Sequence, residues 1–166
     1  LCKAIEGARL GSQDKLAERL LSAYPLHPLS AILLPAITRQ KFGQNERSLF
    51  SFLASGEPHG FRDFLLHTPA EAGGTYLPIE LWRYLEANLQ QSIIASPVGH
   101  RWSEALEALV RANKGDELHR DLVCTIALID IFGRTLGVFA TKTVLSLCFP
   151  NEKKGRVEKA LKELQT

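Results

Sequence analysis

Apolar residues recur along this chain at intervals of three and four, charged residues fill the positions between them, and strict alternation is scarce. That is the period of the α-helix, so the pattern predicts a mostly helical chain with little or no sheet. Leu16, Leu20, Leu21 and Tyr24 mark a first helix between Leu10 and Tyr24, with Asp14, Lys15, Glu18 and Arg19 toward water. Tyr24-Pro25-Leu26-His27-Pro28 breaks it, and Pro28 suits the start of the next helix because its missing N–H is not needed there. That second helix is expected from Leu29 to Phe42, kinked or interrupted at Pro35. Asn45 then caps a third, in which Leu49, Phe50, Phe52 and Leu53 repeat before Gly56 and Pro58 stop it. Phe61 to His67 forms a short helix with Phe61, Phe64 and Leu65 inward, followed by a surface loop from Pro69 to Gly74.

Pro78 restarts a helix with Leu81, Trp82, Leu85 and Leu89 on one stripe, fading near Ile94 before Ser96-Pro97. Trp82 and Tyr84 read as packing groups rather than as a base-stacking pair. From His100 to Asn113 the buried face is Trp102, Leu106, Leu109 and Val110. Asp116 caps the helix expected to be the most apolar, running to Phe132 and closed by Gly133, with Leu118, Leu122, Ile126 and Ile129 as its stripe. Thr141 caps a short helix through Val144, Leu145 and Cys148, and Asn151 caps a last one with Val157, Ala160, Leu161 and Leu164 inward. Three helices with tight joints match a helix-turn-helix. The expected fold class is all-α: a lid-like helical bundle over residues 1–95, then a winged-helix or helix-turn-helix unit of three helices over 96–166, truncated because its β-hairpin wing should begin where the chain ends.

Composition narrows the partners only a little. Twenty basic residues against eighteen acidic ones give a net charge of +2, too even to announce nucleic acid or a membrane surface. No apolar run reaches the length of a membrane span, so no membrane partner is expected. Cys2, Cys124 and Cys148 are odd in number and widely spaced, which suits a reducing cytoplasm better than a disulfide framework or a metal site. The absence of Met, even at the first position, suggests a piece of a longer protein.

Candidate chemistry is sparse. Arg47, beside the N-cap Asn45, lies in the first turn of an apolar helix, and an aimed guanidinium there matches phosphate oxygens. Pairing with Glu46 or Glu57 is the plain alternative for it. His27 has no neighbouring nucleophile or second metal ligand and reads as a structural histidine bonded to backbone. Lys153, Lys154, Arg156, Lys159 and Lys162 decorate the last helix, the one that would read DNA, although Glu152, Glu158 and Glu163 dilute them into an ordinary solvated face. There is no Gly-Lys-Ser/Thr phosphate loop, no nucleophile elbow and no H-E-x-x-H, so catalysis by this chain alone is not expected. Gly133-Arg134-Thr135-Leu136-Gly137 follows a helix and lacks the lysine; it reads as a connector.

Tyr24-Pro25-Leu26-His27-Pro28, then Gln44-Asn45-Glu46-Arg47-Ser48-Leu49-Phe50-Ser51-Phe52-Leu53 with Glu57-Pro58, and finally the apolar helix Leu122 to Phe132 resemble the middle of large bacterial P-loop ATPases of the AAA+ and STAND kind. In such proteins a nucleotide-binding core precedes a helical lid and a winged helix. The resemblance implies that ATP and magnesium belong to the parent, and that Arg47, with Asn45, is a candidate nucleotide sensor or finger. It implies as partners the remainder of a longer chain, a homo-oligomer or DNA, and a setting in phage defence. Read from the residues alone, a DNA-binding helix-turn-helix module and a helical protein-binding scaffold stay open as alternatives.

Overall fold

The computed structural model describes residues 1, 5, 13–40, 42, 49–69, 74–112, 115–153 and 155–165. Among these residues the fold is all-α: nine α-helices and no strand. They are α1 (Gln13–Ser22), α2 (Pro28–Thr38), α3 (Leu49–Ala54), α4 (Phe61–His67), α5 (Pro78–Ile94), α6 (Gly99–Ala112), α7 (Glu117–Leu128), α8 (Lys142–Cys148) and α9 (Arg156–Glu163).

Two proline-led helices leave from one seam. Leu26 and Tyr76 form an isolated parallel bridge, in which His27 N–H donates to the Tyr76 carbonyl at 3.0 Å and Tyr76 N–H donates to the Pro25 carbonyl at 2.8 Å. Two residues beyond each bridge partner stands a proline, Pro28 opening α2 and Pro78 opening α5. Each supplies a preset φ where no backbone donor is needed. Helix α2 is then almost wholly interior, with Leu29, Ile32, Leu33, Leu34 and Ile37 buried, and it runs through Pro35 without ending there. The interior is one contiguous apolar cluster that draws on both sides of residue 95. At its centre Trp82 of α5 and Trp102 of α6 are fully buried and stacked, with ring centroids 4.1 Å apart and planes 15° apart. Offset stacking of two such rings adds roughly 0.5–1.5 kcal/mol beyond their burial.

Helices α7, α8 and α9 pack on one another, each touching the other two. The helix expected to reach Phe132 is α-helical only to Leu128, then widens into a π turn over Ile129–Gly133 and tightens into a 3-10 turn over Arg134–Leu136. A partner from α6 supports this widened turn. The guanidinium of Arg101 donates to the Asp130 carbonyl, to the Ile131 carbonyl at 3.4 Å and to the Asp130 carboxylate at 2.5 Å, serving acceptors that helix ends leave without intrahelical partners. Arg134 holds the other carboxylate oxygen at 2.5 Å. Gly137, at φ 73°, closes the turn in the left-handed conformation that favours glycine.

Several local expectations change in three dimensions. The last helix begins at Arg156 with Gly155 as its N-cap, so the cap is not Asn151, which sits in a turn ahead of it. Leu65 points out at 48% exposure and Val110 at 77%, because α4 and α6 are each covered along a narrower stripe than their apolar residues span. Leu21 and Tyr24 are likewise exposed, while Leu20 of α1 is buried. Helix α2, rather than α7, is the most deeply apolar, with seven of its eleven residues buried.

Candidate functional site

The two residues singled out for nucleotide contact, Asn45 and Arg47, lie outside the described residues; the helix that follows them, α3, lies within. Its anchor is Phe52, which is 2% exposed and meets Tyr76 edge-on at 5.5 Å, Tyr84 edge-on at 5.0 Å and Phe61 stacked at 6.2 Å. Tyr76 also receives Phe61 and Phe64 of α4 at 5.9 and 5.4 Å. Its hydroxyl donates to the His59 carbonyl at 2.6 Å, and its own carbonyl accepts from Ser30 Oγ at 3.2 Å. Burial is the main reason its phenol titrates well above the ordinary tyrosine value. One tyrosine thus ties α2, α3, α4 and the 57–60 turn to the start of α5. The turn is further held by Tyr84, whose hydroxyl donates to Glu57 at 2.9 Å, and by Asn88, which donates to the Pro58 carbonyl at 2.9 Å. His59 within it takes φ 60°, a left-handed conformation costly for a side-chain-bearing residue.

His27 is structural. Its Nδ1 accepts from Leu29 N–H at 3.1 Å, so the ring caps α2, and its Nε2 donates to the Leu147 carbonyl of α8 at 3.0 Å. Burial lowers its pKa by more than the Leu147 bond raises it, so the ring stays neutral with its proton on Nε2.

The basic residues of the last helix divide. Lys153 lies ahead of α9 and Lys162 within it, both exposed, and Lys154 lies outside the described residues. Arg156 is bonded to the Asp116 carboxylate and stands 3.9 Å from Glu163, while Lys159 Nζ is 3.6 Å from Glu163. Between these acids sits His119, buried, with Nδ1 2.6 Å from Asp116 Oδ1 and Nε2 2.9 Å from Glu163 Oε2. Burial works against ionisation of Glu163 but is outweighed by the His119 hydrogen bond and the charges of Lys159 and Arg156, which hold its carboxyl below the usual range. The clasp fastens α9 to the start of α7. Sequence reading found Asp116 as a cap but missed its partner: Asp116-x-x-His119 is a capping box in which both reciprocal bonds form.

A cavity of about 160 Å³ lies between α5 and α7 over α6. Its apolar part is Ile79, Trp82, Leu109 and Cys124. The charged part is Arg83 and Glu86 from α5, and Glu117, Arg120 and Asp121 from α7. Arg83 is engaged by Glu80 at 2.8 Å, Asp121 at 3.5 Å and Glu117 at 3.7 Å. Burial raises the Asp121 pKa by more than the neighbouring Arg83 lowers it. Burial also pushes the Cys124 thiol up to about 12, so it is a protonated, unreactive group at neutral pH. Among the described residues no three His, Cys, Asp or Glu side chains converge as a metal site, and no helix is long and apolar enough to cross a membrane. No protein-family model matches this chain, and no curated protein or solved structure matches it significantly.

Proposed function

We propose that this chain is a non-catalytic regulatory and interaction segment of a larger P-loop ATPase of the AAA+ and STAND kind, coupling nucleotide state to a partner or effector, with phage defence as the setting. The resemblance carried by residues 24–28 and 44–53 supports the reading, and one structural observation carries it further. The two motif stretches meet: Phe52 rests on Tyr76, whose backbone exchanges hydrogen bonds with Pro25 and His27. Helix α3, which follows Arg47 in sequence, is therefore anchored through Phe52 on that buried aromatic seam, and a guanidinium that stabilises charge on a transferred phosphoryl needs a fixed support of that kind. In the proposed parent a core elsewhere would hold ATP and magnesium; among the described residues no three His, Cys, Asp or Glu side chains converge.

The test is Arg47→Ala in the full-length ATPase. Turnover should fall by about a thousandfold or more with an unchanged melting temperature. Arg47→Lys should restore little, because lysine keeps the charge and loses the planar fork. An unchanged rate, or a loss explained wholly by unfolding, removes the sensor role. A parent sequence without an upstream Gly-Lys-Ser/Thr loop removes the ATPase reading altogether.

DNA binding by α9 is the second reading, favoured by the exposure of Lys153 and Lys162. Two of its candidate cations, Arg156 and Lys159, are already matched to carboxylates. Affinity for duplex DNA that falls steeply with salt would support it.

A further inference from the structure

The cavity between α5 and α7 has the form of a short groove. Ile79, Trp82, Arg83 and Glu86 follow the i, i+3, i+4, i+7 pattern on α5, and Glu117, Arg120, Asp121 and Cys124 repeat it on α7, so each helix turns one continuous face toward the other. Seven residues of helix span about 10 Å, the length of two turns. At about 160 Å³ the cavity is too small for a typical small-molecule site, which runs to roughly 300–1,000 Å³, yet it has room for one apolar side chain. Its surroundings are acidic. Glu86, Glu117 and Asp121 line it and Glu80 stands beside it, against Arg83 and Arg120, in a chain whose net charge is +2. Arg83 is shared among three of those carboxylates, and Glu86 has no ion-pair partner among the described residues.

We propose that this groove docks a protein segment that inserts one apolar side chain between α5 and α7 and sets an adjacent arginine or lysine against the carboxylates of the banks. The anchor covers the half-buried Leu109 and the aliphatic stems of Arg83, Glu86 and Arg120, above a floor of buried Ile79 and Trp82, and its basic neighbour answers the local excess of negative charge. Apolar anchoring supplies most of the affinity in such a contact, and charge complementarity supplies orientation and on-rate. The proposal goes beyond the ATPase reading and does not depend on it.

Random twelve-residue peptides displayed on phage and panned against this chain provide the test. Enriched peptides should share an apolar residue next to arginine or lysine. Their synthetic forms should bind the unaltered chain about tenfold or more tighter than a Glu86→Lys/Glu117→Lys variant. Leu109→Phe, which fills the cavity from α6 with the bank charges intact, should weaken the same peptides. Circular dichroism confirms that both variants fold, and the charge variant, altered only at the banks, remains decisive if the Leu109 variant does not. Absence of enrichment, selection of acidic peptides, or equal affinity for the charge variant overturns the proposal. So does concentration-dependent self-association that the charge variant abolishes, since the occupant would then be a second copy. None of these readings involves ATP, so failure here leaves the proposed function standing.

Discussion

The aromatic junction around Tyr76 and the ionic clasps of α6 to α9 hold helices together by different physics. At the junction, Phe52, Phe61, Phe64 and Tyr84 surround or adjoin a tyrosine with no exposed surface, and its polar atoms are matched to backbone. In the clasps, Arg101 grips Asp130, and Asp116, Arg156 and Glu163 gather their charges around the His119 ring, most of them partly open to solvent. Burial of rings is not screened by salt and depends little on pH. Exposed ion pairs contribute little energy, depend on both, and chiefly fix orientation. Residues 24–28 and α3 are therefore held by the stronger and less adjustable device, and the C-terminal helices by the more adjustable one.

The sharpest break of that contrast is Tyr76→Ala. Removing a ring in contact with three phenylalanines should cost about 3–5 kcal/mol of stability, read by denaturant titration. Tyr76→Phe separates packing from polarity, since it keeps the ring and deletes only the hydroxyl bond to His59, at a cost of about 1 kcal/mol. A Phe variant as damaged as the Ala variant would mean that the hydrogen bond, not the rings, holds the junction.

Arg101→Ala should cost less, about 1–2 kcal/mol after allowing for the third of the side chain that water reaches. It should also change the response to acid. Burial tends to raise the Asp130 pKa, but hydrogen bonds and charge from Arg101 and Arg134 outweigh it and hold the carboxyl below its ordinary value. The stabilisation this gives is fully present above the unfolded carboxylate pKa of about 4 and is lost as pH falls through the lower folded value. Melting temperatures followed from pH 7 to pH 2 should show an acid-side decline that is shallower in the variant, and an identical decline would assign it to other carboxylates. Tyr76→Ala should shift the whole profile without changing its acid slope.

The smallest effect is a gain. His59→Gly should relieve the left-handed strain at φ 60° and raise stability by up to about 1 kcal/mol, measured as a higher melting temperature. A loss instead would mean that the His59 ring, 3.8 Å from Glu80, contributes more than the strain costs.

Local periodicity and punctuation by themselves determined that this chain is helical and where most helices lie. Pro28 and Pro78 fix helix starts through their own covalent geometry, Thr141 caps α8 through Val144 N–H, and the 3.6-residue stripe of α5 through Leu81, Trp82, Leu85 and Leu89 is buried as read. The structural role of His27 was legible too, because nothing near it in sequence could make it reactive, although its bond to Leu147, one hundred and twenty residues away, was not. Only the tertiary structure decided which apolar residues would be covered: Leu65 and Val110 satisfy their helical pattern and still face water, because burial depends on a neighbour arriving from elsewhere in the chain. It also decided the π turn after Leu128, the pairing of Leu26 with Tyr76, and the commitment of Arg156 to Asp116. The last two are contacts between segments distant in sequence and the first is braced by one, from Arg101 of α6, and a period of three or four residues carries no information about what lies tens of residues away.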